Sequence, residues 1–492
     1  PDKFITKAES AGAGFINFFI NESYYTEQLK NQIKEGEHYG RSAQNEGKTA
    51  NIEWVSANPT GPLHAGHGRH IALGKAISNL LEWTGYRVTR EYYYNDAGRQ
   101  MDKLAESIRA QYLLLCNADF TLPADPYKGE YINTIAEIIK DEYGDKLTNL
   151  REPDNINIFK TKGENWCFKS IKHTLRRMGI EHNEFFNETS LYETGKIKET
   201  LDTFKKKSLS YEKDGAVWLR LKGITEPYSK KQFAEDKVIV KSTGEPTYRL
   251  PDMAYHVYKI NKGYDLIIDI FGSDHADTYK EVLAGVRALG YDTSNIKVIL
   301  HQMVTFVQNG KPVRMSKRSD NVYYLDDLLD DVGEDVAQFF FVMRGANTHL
   351  DFDVSLAKEQ SEKNPVFYLQ YAHARICSIL RNAYEVFPDY KNADDSQTDY
   401  ILLKQPEEIE LMKSLSYFQW VVENAAQTFE PHKIINYLNE VAERYHRFYH
   451  NHRVINAEDK TMSFTRLKLC EAVKVVLKNG FEIIGISAPE RM

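Results

Sequence analysis

The sequence predicts an α/β protein. At its centre is a Rossmann-like doubly wound parallel-sheet domain carrying an insertion, with a partial α+β module before it and an all-helical carboxyl-terminal domain after it. Three observations lead there. A strand–helix–strand pattern runs from Asn51 to Asn95, strand-like apolar runs return after residue 236, and helical periodicity takes over beyond about Gln360. With 492 residues, the chain is long enough for about three to four domains.

In chain order, residues 1–45 read as the remainder of a small leading module. Phe15, Ile16, Phe18 and Phe19 would form a strand packed on it, and a polar helix or linker follows around NEGK. Pro1 leads almost directly into GAGFINFFI, so the chain reads as beginning inside a domain. Residues 46–101 open the sheet with the strand IEWVSA. Gly61 and Pro62 break the chain before a helix, HGRHIALGKAISNLLEWTG, whose Leu73, Ile77, Leu80 and Leu81 share one face; Gly85 ends it, and YRVTREYYYN is the next strand. Residues 102–235 are charged, helical in pattern and poor in glycine motifs, as an insertion would be. The sheet resumes over 236–358 with DKVIVKSTGEPTYRLPDMAYHVYKI, DLIIDIFGSDH and KVILHQMVTFVQ. Residues 359–492 are helical throughout, as in FYLQYAHARICSIL and IINYLNEVAERYHRFYHNH.

Composition narrows the function classes. Hydrophobic residues make up 42% and charged residues 27%, which suits a folded chain and not a disordered one. A formal net charge of -7 argues against a surface coated for indiscriminate nucleic-acid binding, yet allows a local basic groove. The 31 Tyr and 24 Phe serve mainly as packing surface, with base stacking as a second use. Cys116, Cys167, Cys377 and Cys470 are too scattered for a CxxC site or a disulfide scaffold and read as thiols in a reducing compartment. No apolar run reaches membrane-spanning length, and PDKFITKAES has no signal-peptide core, so a cytoplasmic protein without membrane attachment is expected.

Two short motifs carry the chemistry. In NPTGPLHAGHGR, His64 and His67 lie three apart at the mouth of a helix, which brings both imidazoles to one side of its first turn. Gly61 permits a tight turn, and Gly66 and Gly68 leave room for a base or ribose against the backbone. Free N–H groups at such a helix start favour phosphate. Taken alone, the pair could also be metal ligands or polar surface, although no third ligand stands nearby. In VRMSKRSDN, Arg314, Lys317 and Arg318 form a cationic loop that could close over a polyphosphate as pyrophosphate leaves; a solvated charged turn is the plainer alternative. A third stretch places Arg444, His446, Arg447, His450, His452 and Arg453 among Tyr445, Phe448 and Tyr449. Ile434, Leu438, Val441 and Tyr445 give its buried stripe, and the basic set outside suits phosphate contact with base stacking, or simple amphipathic surface.

On these residues the chain resembles the class I aminoacyl-tRNA synthetases, most closely the arginyl branch of bacterial type. His64-Ala65-Gly66-His67 matches the first class signature and Met315-Ser316-Lys317 the second, with Arg314 where that signature usually begins with Lys. The charge is kept, but reach and fork geometry differ. The likeness extends from Gly14 to Met492 through WVSANPTGPLHAGHGR, REYYYNDAGRQ, GSDHADTYKEVLAGVRALG and GISAPERM.

The resemblance implies an ATP-dependent ligase. L-arginine would be activated to arginyl-adenylate with release of pyrophosphate, then passed to the terminal adenosine of tRNA(Arg), the 2'-hydroxyl being the first acceptor. ATP enters as a substrate with Mg²⁺, without a metal site built from protein ligands. It would lie against Gly61, His64, Gly66, His67, Asp274, Val304, Met315, Ser316 and Lys317, with His64, His67, Arg314 and Lys317 acting on the phosphates. A guanidinium offers five donors and no acceptor, so its pocket should present carboxylates and other oxygens in a plane. The positions matching the family's amino-acid pocket are Glu53, Asn58, Tyr248 and Asp252, with the acids toward the guanidinium and Asn58 toward the amino-acid backbone end. The helical tail would bind the anticodon stem and loop through Arg444, Tyr445, Arg447, Tyr449 and Arg453, and the leading module would touch the outer corner of tRNA. A monomer is expected, as is a need for bound tRNA before efficient activation. The rival readings are a class I enzyme for another amino acid, which Glu53 and Asp252 disfavour, and a noncatalytic RNA-binding relative, which His64, His67 and Lys317 disfavour.

Overall fold

The computed structural model describes residues 3–119, 123–148, 154–313, 322–392 and 397–492. Its central sheet has five parallel strands in the spatial order Ile296–His301, Leu266–Gly272, Thr49–Glu53, Arg87–Tyr94 and Glu184–Asn187. The earliest strand lies in the middle and later ones are added on both sides of it. The carboxyl ends of Thr49–Glu53 and Leu266–Gly272 therefore flank the crevice where ligands bind in such sheets. Ala50, Ile52, Ile267 and Ile268 are fully buried, as expected of parallel strands covered on both faces.

The first strand stops at Glu53, short of the expected IEWVSA, because Val55 and Ser56 take positive φ values of 78° and 44° and turn the chain out of the sheet. After the crossing segment comes the helix Gly68–Trp83, which is buried on nearly every side. A β-carbon at Gly68 would come within 2.3 Å of the Phe341 ring and one at Gly74 within 2.3 Å of the Trp54 indole, so the two glycines permit this depth.

Three expectations need correcting. The strand Glu184–Asn187 lies inside the stretch read as an insertion, yet it forms the edge of the central sheet beside Glu91–Tyr94. Four half-buried residues are too few to show a period. The remainder of that stretch does form a separate core, where the helices Arg99–Leu115, Glu130–Tyr143 and Asp154–Arg177 meet around Leu104, Ile108, Ile135 and Phe159. Conversely, Lys237–Val240 and Val304–Gln308, read as central strands, belong to two small separate sheets. At the amino end, Ile5–Ala11 and Phe15–Ile20 pair as a hairpin whose Phe15, Ile16, Phe18 and Phe19 stay exposed rather than packed. The helix Glu22–Glu35 that follows packs on the carboxyl-terminal helices Pro406–Ser416 and Lys460–Ile484, not within a module of its own.

Those two helices, with Pro365–Val386, Phe418–Thr428 and His432–Asn451, make the helical domain. One apolar core runs from the sheet into it through Ile71, Phe341 and Phe481. The end of Lys460–Ile484 leaves backbone carbonyls without helical partners, and the sheet domain supplies donors to them. Asn79 Nδ2 donates to the carbonyls of Glu482 at 3.0 Å and Ile483 at 3.2 Å, Gln338 Nε2 to Ile484 at 2.9 Å, and Lys75 Nζ to Gly485 at 2.8 Å.

Candidate active site

The segment from His64 to His67 forms a single 3-10 turn leading into Gly68–Trp83. The two imidazoles are stacked with centroids 3.7 Å apart, as the spacing predicted. The His64 N–H donates to His67 Nδ1 at 3.2 Å, so the proton of a neutral His67 sits on Nε2. Burial, with His64 beside it, pushes the His67 pKa down to about 3, and burial lowers that of His64 as well. Both are therefore neutral donors at pH 7, suited to hydrogen-bonding phosphate oxygens without a proton being taken up. Gly66 is exposed and packed against His64, where a β-carbon would lie 2.9 Å from Nδ1; one at Gly61 would lie 3.1 Å from the Tyr131 hydroxyl.

Arg314, Met315, Ser316 and Lys317 lie outside the described residues. The chain on either side of them is fixed, on the downstream side beside the histidines. The Val313 N–H donates to the Phe306 carbonyl at 2.9 Å, the Ala65 N–H to the Tyr323 carbonyl at 2.8 Å, and the Leu325 N–H to the Leu63 carbonyl at 2.8 Å. Arg69, fully buried, spreads its guanidinium over the carbonyls of Gln302 at 2.9 Å and Gly345 at 2.8 Å, fixing the base of the Val304–Gln308 strand. Val304 begins that strand, opposite Leu350. Asp274 is exposed at the end of Leu266–Gly272, with an oxygen 3.7 Å from His275 Nε2.

The loop after the first strand is tied at almost every residue. Tyr92 donates to the Ala57 carbonyl at 2.7 Å, the Asn95 N–H to Asn58 Oδ1 at 3.0 Å, Asn58 Nδ2 to Gln100 at 2.8 Å and Tyr131 to the Thr60 carbonyl at 2.9 Å. Both ends of the Asn58 amide are thus held in a fixed orientation. Tyr248 and Asp252, one turn apart, open the helix Arg249–Asn261; Tyr248 is 54% exposed and carries the Arg249 guanidinium over its ring. Among the described residues no side chain is hydrogen-bonded to the Asp252 carboxylate. Burial, and the nearby acids Glu53 and Glu188 after it, push its pKa up to about 7.

Glu53 is placed differently from the expectation. It is 4% exposed, and its oxygens accept from Lys259 Nζ at 2.8 Å and from the Ser56 hydroxyl at 2.9 Å. Lys259 is itself fully buried between Glu53 and Asp269. Burial opposes its charge, but Asp269, Glu53 and Glu91 hold the ammonium well above its usual range. Glu53 thus shares the single charge of this lysine with Asp269. The acid that the sequence reading missed is Glu188, one residue past the edge strand. It accepts from Tyr93 at 2.6 Å and Asn95 at 2.9 Å, and stands close enough to Asp252 to raise its pKa. A carboxylate directly after a strand was the available signal, hidden because the strand itself went unrecognised.

In the helical domain, Arg447 points outward in an ion pair with Glu443, Arg444 is half-buried in an ion pair with Glu440, and Arg453 is exposed. Tyr449 is half-buried under the Arg375 guanidinium. Tyr445 is fully buried and cannot stack on a base; the apolar stripe of the helix claims it.

Comparison with known proteins agrees with this fold. The family described as tRNA synthetases class I (R), catalytic domain, matches residues 28–342, and the DALR anticodon binding domain matches residues 369–492. An arginine–tRNA ligase from Desulfotalea psychrophila is 47% identical over 490 residues, covering 99% of this chain and 86% of its own. One from Salinibacter ruber is 45% identical over 504 residues, covering 99% of this chain and 87% of its own. The solved arginyl-tRNA synthetase of Thermus thermophilus shares the fold with a TM-score of 0.76 at 20% identity, over 100% of this chain and 89% of its own.

Proposed function

Since this chain belongs to the class I arginyl-tRNA synthetases, we propose that its crevice activates L-arginine with ATP and that its helical domain holds the tRNA that receives it. The observation carrying the arginine reading is the partly exposed Asp252 carboxylate without a described partner, with Glu188 beside it and Tyr248 one turn away. A guanidinium entering there meets two acids in a site where an apolar side chain would leave both uncompensated.

In the first step an oxygen of the arginine carboxylate bonds to the α-phosphorus of ATP, and the bond to the β-phosphate oxygen breaks, giving arginyl-adenylate and pyrophosphate. No protein nucleophile is needed. Asn58 orients the backbone end of arginine, and His64 and the Nε2–H of His67 donate to phosphate oxygens as charge spreads over them. Lys317 and Arg314 act on the same phosphates by their match to the second signature, in a loop whose downstream end is bonded beside Ala65. Mg²⁺ belongs to this reading as a companion of the nucleotide's own phosphates. In the second step the terminal 2'-hydroxyl of tRNA attacks the activated carbonyl and AMP departs. Arg444, Arg447 and Arg453 serve as phosphate contacts on the helical domain. A monomeric, cytoplasmic protein that needs tRNA before efficient activation completes the reading; light scattering and RNA-free pyrophosphate exchange test the first and last.

Charging of total tRNA with each of the twenty amino acids, with and without ATP, tests the whole. Arginine alone should be attached, and only with ATP. Attachment of another amino acid would overturn the pocket reading and leave the class I chemistry standing.

A further inference from the structure

Val55 and Ser56 adopt consecutive left-handed conformations, with φ of 78° and 44°, between the central strand and Asn58. That is an unfavourable backbone for a β-branched residue and persists only where its surroundings dictate it. Val55 is 4% exposed, so its N–H has no access to water and needs an acceptor. The acceptor is Nε2 of His70, at 3.3 Å. His70 is 8% exposed, engages the backbone of Ile270 in the strand Leu266–Gly272 by a further hydrogen bond, and packs on His301 with ring centroids 5.1 Å apart. Since Nε2 accepts, the proton is on Nδ1.

His70 stands one turn beyond His67 on the helix that begins with the phosphate histidines. The other ties on the loop come from the second strand, its following turn and Tyr131. His70 alone among these partners joins the loop carrying Asn58 to the helix that follows His64 and His67.

We propose that His70 is a positioning residue for adenylate formation: through Val55 it sets the amino-acid loop against the phosphate-binding turn, and so aligns the arginine carboxylate with the α-phosphate. The inference rests on the arginine-activating reading of the crevice. A misplacement of about 1 Å between reacting groups lowers a rate by about 100-fold. His70 should therefore act on kcat for the activation step rather than on capture of tRNA.

Amide side chains separate the two ring nitrogens. Gln brings an acceptor near the position of Nε2, whereas the shorter Asn reaches only that of Nδ1. In arginylation assays with saturating tRNA, His70→Gln is expected to keep kcat within about threefold of the parent. His70→Asn and His70→Leu are expected to lose about 100-fold, with the KM for tRNA unchanged. The inference is overturned if Leu supports the parental kcat, if Asn serves as well as Gln, or if the loss falls on the tRNA KM. Should the Leu variant not fold, the Gln and Asn pair decides alone, with folding checked by thermal melts. A parental enzyme that charges tRNA with a different amino acid would refute the arginine reading but not the positioning role, which the same variants would report with that substrate.

Discussion

At the scale of single residues, the pocket pairs an unmatched acid with a matched one. Glu53 and Asp252 were both candidates for the guanidinium, and burial separates them. Lys259 pairs with Glu53 inside the core, while among the described residues no side chain is hydrogen-bonded to the Asp252 carboxylate, whose pKa is pushed up to about 7. Below that value the free enzyme carries a proton that must leave before a guanidinium can be paired. The KM for arginine is thus expected to rise about tenfold per pH unit below 7 and to level off above it, as measured from pH 5.5 to 8.5. Asp252→Asn should raise that KM strongly and remove the pH dependence. The same raised pKa acts oppositely on folding. It favours the folded state below the ordinary value of 3.8, and this contribution is lost as pH rises through 7.

Single elements show what each helix gives up for its place. Gly68–Trp83 is buried so deeply that its face against the sheet tolerates no side chain at Gly74. Gly74→Ala, with its β-carbon 2.3 Å from Trp54, should displace the indole and destabilise the protein by about 1–3 kcal/mol in a denaturant titration. The helix His432–Asn451 divides its aromatic and basic residues by face. Arg447 lies outside and Tyr445 inside, where its hydroxyl has no recorded partner among the described residues. Arg447→Ala should weaken tRNA binding in a filter assay with little change in melting temperature. Tyr445→Phe should leave tRNA affinity unchanged; a drop in affinity with that variant would return Tyr445 to the RNA surface.

The whole molecule is joined more firmly than its two family matches suggest. Its apolar core passes without a break from the sheet to the carboxyl-terminal helices, and Asn79, Gln338 and Lys75 close the end of Lys460–Ile484 from the sheet side. Separating the two would expose that core and leave the carbonyls of Ile483, Ile484 and Gly485 without donors, each a loss of about 1–3 kcal/mol where burial persists. The sheet and helical domains should therefore unfold in one calorimetric transition, whereas two resolved peaks would show that they fold independently. Gln338→Leu should lower the melting temperature of that single transition.

By itself the sequence determined the class of fold, the helix that follows His64 and His67, the helical carboxyl-terminal domain and the approach of those two imidazoles to each other. Each of these is written locally, in apolar period, in glycine spacing or in a motif of a few residues. Only the tertiary structure decided that Glu53 is ion-paired to Lys259, that Glu184–Asn187 completes the central sheet and that Tyr445 is core. It also decided that His70 holds the turn at Val55. Most of these depend on partners far along the chain, Glu53 on Lys259 and Asp252 on Glu188, while Val55 depends on a ring presented by the helix that follows its loop. Burial and pairing across such distances fix the charge and orientation of a side chain, and no local pattern encodes them.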